Sequence, residues 1–156
     1  MNHGIVGNEA AKFTPVTEMA ARGLIREILA DPNSVMVSGH CHLGGIDIWA
    51  EEIAEELGRP QIIHIPVNRR WRPRGFEERN LLIVRDSHTV HNIVVAVYRP
   101  GYHGMKFASC YHCNTANHVK SGGCWTARKA MLKGKPAFIY IIHPSGATEK
   151  HDLSYR

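Results

Sequence analysis

Short apolar runs alternate with amphipathic stretches along most of the chain. Gly4-Ile5-Val6-Gly7 reads as a first strand, Val35-Met36-Val37 as a second, and Ile62-Ile63-His64-Ile65 as a third. Between them the apolar positions change to a helical period. Pro15 to Ala30 predicts a helix with Thr14 as N-cap, Pro15 at the first helical position, and Ala20, Leu24 and Ile28 on one face. Ile46 to Leu57 is the sharpest pattern: Ile46, Trp49, Ile53 and Leu57 form a stripe, Glu51, Glu52, Glu55 and Glu56 face water, and Gly58 ends the run. Its spacing makes Trp49 a core residue. Phe76 to Asp86 reads as a helix, although Leu81 to Val84 alone would suit a strand. Val90 to Val97 is apolar enough for a strand buried on both faces. A last helix is expected from Trp125 to Lys133, stopped by Gly134 and Pro136, and a last strand from Phe138 to Ile142.

Strand and helix in alternation imply parallel strands joined by right-handed crossovers. The expected fold class is therefore α/β, a Rossmann-like three-layer α/β/α sandwich around a mainly parallel five-stranded sheet. With 156 residues, 44% of them apolar, the chain reads as one domain over 1–156. No stretch approaches the ~18 consecutive apolar residues that span a bilayer, and the N-terminus lacks the features of a signal peptide. The expectation is a soluble, cytoplasmic protein with no membrane association. A net charge of +5 suits an anionic partner. Part of that excess sits in Arg69, Arg70, Arg72 and Arg74, in a loop that is either solvated or anion-binding.

In open parallel sheets, ligands bind beyond the carboxyl ends of the strands, where the strand order reverses. The segments leaving those ends are Gly7-Asn8-Glu9 to Lys12, Ser38 to Gly45, the arginine loop, and the cysteine-rich segment that ends in Ser121-Gly122-Gly123. Gly44-Gly45 and Gly122-Gly123 each precede a predicted helix. Glycine there lets the backbone approach a phosphate, and the first helical turn offers unpaired N–H groups. Asp47 is either a charge that complements the helix dipole or an acceptor for a ligand hydroxyl. His40 and His42 flank Cys41, leaving a second metal site or a turn that lines the ligand.

The segment at about 99–124 is the one long irregular stretch. Cys110, Cys113, His118 and Cys124 space as C-x2-C-x4-H-x5-C, close to a zinc knuckle. Three thiolates and an imidazole make a closed tetrahedral set, so the expected cofactor is zinc, with His112 as a competing ligand. Unliganded buried cysteines and a redox Cys-x-x-Cys pair are the alternatives. Zinc knuckles also bind single-stranded nucleic acid, which with the arginine loop keeps that class of partner open.

Ser38-Gly39, then Gly44-Gly45-Ile46-Asp47, together with Ser121-Gly122-Gly123 followed by Trp125-Thr126-Ala127-Arg128 and by Gly134-Lys135-Pro136, resembles the SLOG superfamily. This group includes LOG-type phosphoribohydrolases, molybdenum-cofactor-carrier-like proteins and DNA-processing A proteins. The resemblance spans Ile5 to Ile142 and implies a nucleotide or nucleotide-derived ligand. Its phosphate would lie at Gly122 and Gly123, with the Gly39 to Asp47 turn opposite. It brings Gly7, Asn8, Gly39, Gly44, Gly45, Asp47, Arg74, Arg79, Asn80, Ser121, Gly122, Gly123 and Thr126 forward as ligand-binding residues. LOG-type hydrolases carry Gly-Gly-x-Gly-Thr-x-x-Glu; this chain has Gly122-Gly123-Cys124-Trp125-Thr126-Ala127-Arg128-Lys129, without the glutamate. Glu9 and Glu78 are the replacement candidates for catalysis of N-glycosidic hydrolysis, with Glu77 and Arg79 beside the latter. A ligand sensor or carrier without chemistry, and a single-stranded nucleic-acid-binding protein, remain alternatives. The oligomeric state is open, a homo-oligomer included.

Overall fold

The computed structural model describes residues 1–97 and 109–153. In chain order the elements are β1 (Asn2–Gly7), a 3-10 turn (Ala10–Lys12), α1 (Pro15–Ile28), β2 (Val35–Ser38), α2 (Ile46–Leu57), β3 (Gln61–Ile63), α3 (Phe76–Asp86) and β4 (Thr89–Val95). There follow β5 (Ser109–Cys110), β6 (Thr115–Ala116), α4 (Gly122–Leu132), β7 (Ala137–Ile142) and β8 (Thr148–Asp152). The start of the expected insertion, 99–108, lies outside the described residues.

The main sheet runs β3-β2-β1-β4-β7-β8. Five strands are parallel; β8 pairs antiparallel with β7, Phe138 opposite Asp152 and Ile142 opposite Thr148. The expectation of five strands is corrected to six. The extra one, Thr-Glu-Lys-His-Asp, has no apolar alternation and is largely exposed, because an edge strand needs only its backbone to pair. A second, two-stranded ladder pairs Cys110 with Thr115.

Successive residues of the inner strands enter different apolar clusters, as the two-residue period of a strand requires. Val6, Val37, Val90, Val94, Ile139 and Ile141 pack with Ile83 and Val84 of α3 and with Ala127 and Ala130 of α4. Ile5, Met36, Ile93, Tyr140 and Ile142 pack with Ala21, Leu24 and Ile25 of α1 and with Trp49, Ala50 and Ile53 of α2. Every residue of β4 is buried. That places both helix pairs against β1 and β4, the strands between which the sheet order reverses.

Helix starts show how local sequence sets the loops. Thr14 caps α1 in a reciprocal capping box with Thr17, with Pro15 at the first helical position. Gly45 precedes α2 at φ 86°, and a Cβ there would meet Ala10 N and Glu9 C at 2.6 Å. Glycine is needed at this position because the Asn8–Ala10 backbone presses on it. The first α2 amide, Ile46 N–H, donates to Asn8 O at 3.2 Å. Helix α4 begins at Gly122, three residues before the position that propensity suggests, because the Ser121 hydroxyl accepts from Gly123 N–H and caps the turn.

Candidate functional site

The strand order reverses between β1 and β4, and a cavity of about 260 Å³ opens beyond their carboxyl ends. Gly7, Asn8, Glu9 and Lys12 leave β1 to form one side. Cys41 comes from the β2–α2 connection, Asp47 from the first turn of α2, Arg79 and Asn80 from α3, and Val119 to Gly123 from the approach to α4 and its first residues.

Asp47, 7% exposed, sits in the first turn of α2. Its Oδ2 accepts Cys41 N–H at 3.1 Å and lies 4.0 Å from Arg79 Nη1. Burial pushes its carboxyl up to about 6, although Arg79 and the Cys41 amide favour the ionised form. A carboxyl facing a cavity with that affinity for protons can serve as donor or acceptor near neutral pH. Arg79 is fixed in turn: Nη1 donates to Gly39 O at 2.6 Å and Nε to Asn80 Oδ1 at 2.8 Å. A Cβ at Gly39 would meet Arg79 Cδ at 2.5 Å, so this glycine makes room for the arginine.

The other expected residues divide by what their side chains already do. Asn8 is a structural hub: Oδ1 accepts Val95 N–H at 2.8 Å and Nδ2 donates to Val119 O at 3.5 Å. Thr126 points into the protein and donates to Gly122 O at 2.8 Å. Gly44 and Gly45 pack on the Asn8–Ala10 segment. Gly123 packs over Asn92 and Ser121, where any Cβ would collide with Asn92 Oδ1, whereas Gly122 is exposed and a Cβ there would have only Asn80 Nδ2 at 3.5 Å. Arg74 and Glu78 are exposed and do not line the cavity; Glu9 lines it, in an ion pair with Lys12 at 3.6 Å. In the arginine loop, Arg72 is held by both oxygens of Glu77 at 2.7 and 2.6 Å.

Cys110, Cys113, His118 and Cys124 are all buried, and their ligand atoms lie within 4.8 Å of one another. Four donors at zinc-type bond lengths around one centre would stand roughly 3.3–3.8 Å apart, so the group could hold a metal ion with a small contraction. Cys110 and Cys113 come from the β5–β6 hairpin, whose turn passes through Asn114 at φ 53°. His118 bridges to Ala96 beyond β4, and Cys124 lies in the first turn of α4. His118 Nδ1 donates to Val119 O at 3.1 Å, which leaves Nε2, 3.2 Å from Cys113 Sγ, as the nitrogen that could ligate a metal. Hydrogen bonding within the cluster, with Cys124 as the shared partner, holds Cys110 and Cys113 below the usual thiol range and pushes Cys124 up. A buried concentration of thiolate charge is what a cation neutralises. Asn92 Nδ2 donates to Cys124 Sγ at 3.3 Å and orients it. Among the described residues no other group of this kind occurs; His112 stands outside it, and His40 pairs with Glu51 at 2.8 Å.

Sequence reasoning missed Lys12, Cys41 and Lys120 as lining residues and Asn92 as the partner of Cys124. Lys12 and Cys41 lay in segments already placed on the rim, and their residue types alone carried no signal. Asn92 in the all-buried β4 was the one strong sign, since a buried amide inside an apolar strand needs a partner. No helix is long and apolar enough to cross a membrane among the described residues. No family model, curated protein or solved structure matches this chain.

Proposed function

We propose that the chain is a zinc-bearing member of the SLOG superfamily, a three-layer Rossmann-like sandwich that binds a nucleotide or nucleotide-derived ligand at the β1/β4 switch point. The observation that carries this reading is the convergence of Gly7 to Glu9, Asp47, Arg79-Asn80 and Ser121 to Gly123 on one cavity. The phosphate sits against exposed Gly122 at the start of α4, where backbone donors and Lys12 and Lys120 supply positive character. Asp47 faces the ribose hydroxyls. Zinc is the metal that three thiolates and one imidazole select in a closed site, and free thiols of this kind suit the reducing cytoplasm.

Asp47 favours a second, enzymatic reading, cleavage of the ligand's N-glycosidic bond. With its carboxyl pushed up to about 6, Asp47 can protonate a leaving base or accept a proton from water, and of Glu9 and Glu78 only Glu9 lines the cavity. The test is calorimetric titration of the metal-loaded protein with nucleoside 5′-monophosphates, followed by chromatography for free base. Binding with base release makes it a hydrolase; binding without release makes it a sensor or carrier. No binding of any mononucleotide sinks both readings.

A further inference from the structure

The switch-point cavity continues into a larger one of about 590 Å³, and Cys41, Arg79, Asn80 and Gly122 line both. The larger compartment has mostly apolar walls: Leu43 and Ile65, which are 54% and 65% exposed, with Trp71 and Phe76. Trp71 is braced edge-on by Trp125, ring centroids 4.9 Å apart. Flat apolar walls of this kind suit a planar ring system.

Besides Arg79, His40 is a held polar side chain on this wall, 44% exposed. His40 has a left-handed backbone at φ 51°, a conformation that costs a non-glycine residue energy and persists only where surrounding structure enforces it. Its Nδ1 lies 3.0 and 2.8 Å from the two carboxylate oxygens of Glu51, on α2, whose side chain is 17% exposed. A carboxylate only accepts, so Nδ1 carries the hydrogen. In its neutral form the ring presents Nε2 as an acceptor, and among the described residues Nε2 has no partner.

We infer that the larger cavity seats the base of the bound nucleotide and that His40, held in one tautomer by Glu51, selects bases that turn an exocyclic amino group rather than an oxo group toward it. This rests on the nucleotide reading above. An amino group facing Nε2 completes a hydrogen bond. An oxo group there sets two acceptors against each other, and a site built for a donor rejects the analogue that lacks it.

The test uses ligand pairs that exchange an exocyclic amino group for oxo, AMP against IMP and CMP against UMP, the adjacent ring nitrogen changing from acceptor to N–H, titrated calorimetrically into metal-loaded protein. The expected preference for the amino member is about tenfold in wild type, falling to near unity in His40→Ala and also in Glu51→Gln, which releases the tautomer. Ribose 5-phosphate, which has no base, reports the integrity of the smaller cavity and should bind both variants as it binds wild type. Equal affinities within each pair in wild type, or a preference that survives His40→Ala, overturn the assignment of His40 and leave the nucleotide reading standing. Failure of every nucleotide to bind overturns that reading and this inference with it.

Discussion

At the scale of single residues, the cavity is set by side chains that have given up most of their freedom. Asp47 shows the energetic consequence. Its carboxyl titrates near 3.8 when solvated and at about 6 in the fold. Between about pH 4 and pH 6 the folded chain keeps a proton that the unfolded chain has lost, so stability falls as pH rises through that window. Asp47→Asn keeps an oxygen for Cys41 N–H and removes the titration. Urea midpoints should therefore decline less for the variant than for wild type from about pH 4.5 to 6.5, and above that the variant should be the more stable, by up to about 3 kcal/mol. A variant weaker than wild type at neutral pH would show that the Arg79 charge at 4.0 Å outweighs burial. The paired glycines separate two roles in the same way. Gly123→Ala drives a methyl into Asn92 Oδ1 and should cost about 2 kcal/mol or more, whereas Gly122→Ala meets only Asn80 Nδ2 at 3.5 Å and should leave stability within about 1 kcal/mol. Only the second is a clean probe of phosphate approach. Normal AMP affinity in Gly122→Ala would place the phosphate elsewhere.

At the scale of elements, α4 and the β5–β6 hairpin form one device. Cys124 belongs both to the four-ligand group and to the helix turn that ends at the cavity, with Gly123 and Ser121 between the two. Each strand of the hairpin has two residues, too few to order themselves without the buried cluster. Metal analysis should find about one zinc per chain, and Cys113→Ser should lose it. Chelation should raise hydrogen exchange in 109–124 while β1 and β4 stay protected, since the strands are held by apolar packing on both faces. Metal-free wild type with unchanged exchange in that segment would remove the metal's structural role.

At the scale of the molecule, the cavity lies where the sheet order reverses. The switch point gathers loops from β1, β2 and the approach to α4, so loss of metal at one border should be felt as weaker nucleotide binding through the α4 start. In the arginine loop, Arg72 is already occupied by Glu77 and Arg69 lines the larger cavity. A single-stranded oligonucleotide should therefore fail to displace a bound mononucleotide at physiological salt. Displacement that weakens steeply with added salt would mark a phosphate-tracking polymer site instead.

Much of this was legible along the chain because it is local. The stripe of Ile46, Trp49, Ile53 and Leu57, the Thr14-Pro15 start and the buried run in β4 fix their elements through periods of 3.6 and 2 and through caps, which depend on near neighbours alone. The Cys110, Cys113, His118 and Cys124 set was legible from spacing, since a hairpin and a helix start leave few ways to arrange it. β8 was not, because edge pairing draws on backbone groups that any sequence has. Nor were the contacts that Asn8, Thr126 and Gly45 make within the protein, through their side chains or through a missing Cβ. Asp47 was visible as a residue but not as a group pushed up to about 6, and His40 was visible but not as half of a pair with Glu51. Affinity for a proton and choice of tautomer arise from burial and from partners brought near by folding, so only the tertiary structure decides them.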